Sequence, residues 1–133
     1  MAIDKINHDM KKILFILLVI FFFTGCEPGY RMYVRNSSSS DLYIKTQPSI
    51  ESLYDAHSTY YDTIATYKVK QEGNYSIYSV KPNSTMLVWG NIGGSPTVNE
   101  LPFDYVALIN ESDTIVLDSK EKILAQTKQA VMY

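Results

Sequence analysis

The chain has 133 residues, with 12 Lys+Arg against 14 Asp+Glu, one cysteine, two histidines and eleven tyrosines. That length suits a single domain, and 46% hydrophobic with 20% charged residues is the composition of a packed chain, too apolar for a disordered one. A formal charge of −2 supplies no basic surface for nucleic acid, and one cysteine excludes a disulfide framework and a four-cysteine zinc site.

The first element is an apolar run. Lys11 and Lys12 precede eleven uninterrupted apolar residues, Ile13 to Phe23, which end in Phe23-Thr24-Gly25-Cys26. Such a run fits the ~7–15-residue core of a signal peptide and falls short of the ~20 residues of a membrane-crossing helix. It has no polar face, so a surface helix would not carry it. Asp4 and Asp9 sit upstream of the lysines, where signal peptides are normally basic, so Met10-Lys11-Lys12 makes the cleaner start.

The order charge, apolar run, small residues and cysteine resembles the lipobox of bacterial lipoproteins, with Phe23 where Leu is commonest. The resemblance implies that residues 1–25 are removed, that the Cys26 thiol carries diacylglycerol, and that the mature chain is a lipoprotein held on membrane lipid by acyl chains. Three such chains exceed the two signals needed for stable attachment. It also implies a Gram-negative cell envelope. Only Glu27 follows the cysteine, where surface-exported lipoproteins carry several acidic residues, so the outer membrane facing the periplasm is the expected address. Residues 26–29 then form a tether, and Glu27-Pro28-Gly29 reaches only about 10 Å at ~3.3–3.6 Å per residue.

Residues 30–133 read as one β-rich domain. Tyr30, Met32 and Val34 alternate with Arg31, Tyr33 and Arg35, a strand period. Asn36 to Asp41 is a turn-forming run, and Leu42 to Thr46 alternates again, so the two strands read as a hairpin. Ser49 to His57 is a helical turn or a loop. Tyr60 to Lys70, rich in Tyr, Thr, Ile and Val, is expected as a strand. Gln71-Glu72-Gly73-Asn74 turns the chain into a strand over Tyr75 to Val80, and Pro82-Asn83-Ser84 turns it again. Thr85 to Ile92 is apolar on both faces and is expected centrally in a sheet. After Gly93-Gly94-Ser95-Pro96, the residues Phe103, Tyr105, Ala107 and Ile109 share one face of a strand, and Asn110 to Asp113 turns it into a second hairpin with Thr114 to Leu117. Asp118 followed by Glu121 opens a helix whose apolar face is Ile123, Leu124, Thr127, Ala130 and Val131. The expected fold is therefore mostly β, a small antiparallel sandwich or barrel-like domain with one C-terminal helix.

Chemistry-bearing groups are few. His57 is the sole histidine after Cys26, and its partner would be Asp55, but no G-x-S-x-G elbow accompanies a serine. Those two side chains also lack a third and fourth ligand for a metal. Glu111 and Asp113 flank a hairpin turn, Gly93-Gly94 lacks the lysine and helix of a phosphate loop, and no catalytic residue, metal or cofactor is assigned. Tyrosine is the marked bias: Tyr60, Tyr61, Tyr75, Tyr78 and Trp89 are candidates for an aromatic platform that stacks on a sugar face or a protein partner. Arg31, Tyr33 and Arg35 form a second candidate surface.

The run Tyr33-Val34-Arg35-Asn36-Ser37-Ser38, then Leu42-Tyr43-Ile44, close behind a lipobox is similar to small all-β lipoproteins of Gram-negative bacteria. That likeness carries over no catalytic residue. The expected function is a membrane-anchored, non-enzymatic binding or scaffolding module for an envelope protein. The alternative is a glycan-binding accessory lipoprotein, and a hydrolase using His57 is the third reading.

Overall fold

The computed structural model describes residues 29–93 and 95–130. The apolar run, Cys26 and most of the tether lie outside the described residues, as does Val131 of the last helical face. From Gly29 onward the order is β1 (Gly29–Arg35), β2 (Leu42–Gln47), α1 (Thr59–Ala65), β3 (Lys68–Glu72), β4 (Tyr75–Val80), β5 (Thr85–Ile92), β6 (Tyr105–Ile109), β7 (Thr114–Leu117) and α2 (Lys120–Ala130). Short 3-10 turns occupy Glu51–Leu53 and Val98–Glu100. β1 and β5 make a two-stranded sheet, and the other strands make a five-stranded sheet in the order β3-β4-β2-β6-β7. Every pairing is antiparallel. The mostly-β, sandwich-like architecture with a C-terminal helix is as expected, and the sheets do not close into a barrel.

Side-chain alternation decides which face is buried. In the large sheet the register sets Ile44 beside Tyr78 and Leu108, and Thr46 beside Ser76 and Val106, on the face that meets the core. Met32, Met86 and Val88 of the small sheet join the same cluster, and Ile50, Ile64, Leu101, Phe103 and Ile123 close it. The opposite face of the large sheet carries Tyr43, Lys45, Ile77, Tyr105 and Ile109. Phe103 is fully buried ahead of β6, while Tyr105, Ala107 and Ile109 do share a face, but the outer one; Val106 and Leu108 face the core.

Four expectations need correction. First, β1 and β2 do not pair. Asn36 is buried, with its amide nitrogen donating to the carbonyls of Ser40 at 2.7 Å and Val80 at 2.8 Å, and its backbone N–H donating to Ser84 at 2.9 Å. These bonds tie the turn to the β4–β5 connection, so the chain crosses from one sheet to the other there. Second, Tyr60 to Lys70 is a helix followed by a strand, because Ser58 caps α1 and Ile64 buries its face. Third, β5 is not central but one of two strands; a bulge opposite Met32 and Tyr33 shifts its register, and α1 packs against it. Fourth, the α2 cap is Ser119, whose hydroxyl accepts from the Lys122 N–H at 3.3 Å; Asp118 instead accepts from the Lys122 ammonium at 2.5 Å.

Candidate functional site

α1 is seven residues long, too short to be stable by propensity alone, so it forms because something holds each end. The Ser58 hydroxyl accepts from the Tyr60 N–H at 3.1 Å, filling an otherwise orphaned donor, and Ile64 is 2% exposed. The helix lies against β5, and between it and the small sheet a cleft of about 540 Å³ opens. Ile64 and Met86, both buried, form its base. Tyr33 and Tyr60, 50% and 47% exposed, stand at its rim, and Thr59, Thr63, Tyr67 and Thr85 add hydroxyls to a lining that is otherwise apolar.

The rim is a polar cluster on an aromatic frame. The Arg31 guanidinium, fully exposed, is held above its ordinary pKa first by the Tyr33 hydroxyl and then by Tyr60. The Tyr54 ring lies 6.0 Å from that of Tyr60. Burial pushes the Tyr54 phenol up, with Tyr60 and Tyr33 adding to it, and among the described residues its hydroxyl is the buried side-chain polar atom without a hydrogen-bond partner. A ligand seated here would meet Tyr33, Tyr60 and Tyr67 and the hydroxyls of Thr59, Thr63 and Thr85 above an apolar base, with the Arg31 cation beside the rim. Such a lining binds and orients; flat faces stack on the rings, and the hydroxyls supply direction.

A second, shallower hollow of about 470 Å³ lies between Ser49, Glu51, Ser52, Tyr61 and Lys68. Its carboxylate is already committed. The buried Glu51 accepts from the Tyr78 hydroxyl, and the Lys68 ammonium sits 3.5 Å from its other oxygen. The Tyr78 hydroxyl in turn accepts from the Ile50 N–H at 2.8 Å. Burial, followed by the bond to Glu51, pushes the Tyr78 phenol up to about 12. This is a polar staple between β4 and the 3-10 turn.

The five aromatic candidates do not assemble into one platform. Tyr60 stands at the cleft rim and Tyr61 in the second hollow. Tyr78 is 0% exposed, beyond the reach of any ligand. Tyr75 lies on the outer face of the large sheet, edge-on to Tyr105 at 5.1 Å, with the Lys45 ammonium 4.8 Å above its ring. Trp89 packs beside the core with its ring 6.2 Å from that of Tyr30. Arg31, Tyr33 and Arg35 are all exposed on the outward face of β1, and Tyr33 is the member that reaches the cleft. Tyr54 and Tyr67 escape sequence reasoning, although Tyr60, Ile64 and Tyr67 have helical spacing.

The remaining candidates have structural occupations. His57 is exposed, and its backbone N–H donates to the Asp55 carboxylate at 3.1 Å, a local turn. Asp113 accepts from the Thr114 N–H at 2.8 Å, and Asn110 rather than Glu111 bonds across the same turn. Among the described residues no three His, Cys, Asp or Glu side chains converge, and no helix is long and apolar enough to cross a membrane. No known protein family, curated protein or solved structure matches the chain.

Proposed function

We propose that this protein is a lipoprotein of the cell envelope, anchored through Cys26, whose β-domain is a non-enzymatic binding module with the α1–β5 cleft as its seat. The observation that carries the binding reading is the cleft itself: an apolar base, a rim of Tyr33 and Tyr60, with Tyr54 packed behind Tyr60 and Arg31 beside Tyr33. The groups that acid–base chemistry would need are engaged elsewhere, Glu51 with Tyr78 and Lys68 and Asp55 with its own turn. The anchor rests on the run from Lys11 to Cys26. An envelope protein presenting an apolar segment is the leading ligand class. A glycan is the second, favoured by the exposed ring faces of Tyr33 and Tyr60 and the hydroxyls of Thr59 and Thr63.

Two measurements test the two halves. Mass spectrometry of the N-terminal peptide from membrane-fractionated cells is expected to find acylated Cys26; an unmodified peptide starting at Met1 or Met10 overturns the anchor. For the cleft, the full-length protein in mild detergent is used to capture membrane components and is titrated with an oligosaccharide panel. Removing both rim rings in Tyr33→Ala/Tyr60→Ala should weaken whatever is retained by about tenfold or more, given ~0.5–1.5 kcal/mol for each aromatic contact beyond its area. Undiminished binding by the double variant, or nothing retained by the wild type, overturns the cleft as the seat.

A further inference from the structure

β1 and β5 form a ribbon whose open end is the Gly29–Ile92 pair. At that end Ile92 is 77% exposed, the most exposed large apolar side chain among the described residues. One step inward, Tyr30 lies beside Asn91 in the register, and its ring is 6.2 Å from that of Trp89. Both rings are half-buried. An apolar tip backed by a tyrosine and a tryptophan, each with an apolar ring and one polar atom, is the chemistry of a bilayer–water boundary.

The length of chain ahead of the ribbon brings that boundary within reach. Gly29 follows Cys26 by three residues and Phe23, the end of the apolar run, by six. Even fully extended these spans cover about 10 Å and about 20 Å at ~3.3–3.6 Å per residue. Whether the membrane holds acyl chains on Cys26 or the uncleaved run itself, the same end of the ribbon is the part of the described fold next to it in the chain.

We infer that the Gly29–Ile92 end of the ribbon is a membrane-contacting tip, with Ile92 entering the apolar edge of the bilayer and the Tyr30–Trp89 pair at headgroup level. This inference rests on the membrane attachment in the proposed function and names the surface that meets the lipid. It also fixes a height. Tyr33 is four residues along β1, so the cleft rim stands about 13 Å above the tip at ~3.3 Å per strand residue.

The test uses the full-length protein in vesicles of phosphatidylethanolamine and phosphatidylglycerol. An environment-sensitive fluorophore is placed at Ile92→Cys and, in a separate variant, at Arg35→Cys at the other end of β1. The label at position 92 should shift to the blue and be quenched by lipids carrying a nitroxide on the acyl chain, while the label at 35 should behave as in water. A solvent-like label at 92, or equal quenching at both positions, overturns the tip, the latter because the ribbon then lies flat. Labelling of Cys26 in the same samples reads the anchor separately. A blocked Cys26 with a wet position 92 removes the tip alone, whereas a free, labelled Cys26 on a chain that stays in the soluble fraction removes the anchor and the tip together.

Discussion

Tyr75 and Tyr78 are three residues apart on β4, and alternation sends them to opposite faces. Tyr78 is fully buried, with its hydroxyl donating to Glu51 and accepting from Ile50. Tyr78→Phe keeps the ring volume but leaves one oxygen of the buried Glu51 carboxylate and the Ile50 N–H without their partner. It should cost about 1–3 kcal/mol, the penalty of leaving such groups unpaired. Tyr75→Phe, on the outer face against Tyr105, should stay within about 0.5 kcal/mol of wild type. Urea unfolding with an unchanged slope checks both; equal effects would mean that the staple contributes nothing. The two residues look alike in sequence. Their odd spacing is legible there, but which face is covered is not, because β4 lies inside a sheet whose outer face is itself half-buried at Tyr75 and Ile77.

α1 poses the same question for a whole element: whether its cap or its buried residue holds it in place. Ser58→Ala removes one capping bond, worth about 0.5–2 kcal/mol. Ile64→Ala removes a residue that is 2% exposed and should cost about 2–5 kcal/mol, and it also lowers the base of the cleft. Thermal melts should rank Ile64→Ala as the more damaging, and its ligand retention should fall with stability. The reverse ranking would place the helix under local rather than tertiary control. This element shows where sequence reading stops. Tyr, Thr and Ile favour strands locally, and that preference points the wrong way over Thr59–Ala65, where burial of Ile64 and the Ser58 cap prevail. The signs of helix were present, since Tyr60, Ile64 and Tyr67 recur at i, i+4 and i+7. The cleft was not, because it needs α1 beside β5, and a periodic pattern states a strand's period without naming its partner. The turn into β4 was readable because its contacts are local and Gly73, at φ +58, supplies it, although Gln71 and Glu72, expected in the turn, belong to β3.

At the scale of the whole molecule, charge guards one side of the large sheet. β3 is an edge strand carrying Lys68, Lys70 and Glu72, with a bulge between Lys68 and Lys70, features that resist pairing with another chain. Its Glu72 carboxylate, bridged at 2.6 Å by Lys70 and at 3.0 Å by Lys45, is lowered from 4.5 to about 2, first by Lys70 and then by Lys45. A depressed carboxylate stabilises the fold above its unfolded pKa, and that contribution is lost as pH falls through the folded value. The difference in urea midpoint between wild type and Glu72→Gln should therefore be present at neutral pH, shrink below 4.5 and vanish towards 2. It should be small, since the pair is exposed and screened. A constant difference across that window would assign the effect to something other than the charge. The ribbon has a different consequence, one of timing. β1 is the first of the described strands to leave the ribosome, yet its partner β5 comes only after β2, α1, β3 and β4. A pairing so distant in sequence is slow to close. If the chain is exported as proposed, that delay keeps the leading end slack until most of the domain has crossed.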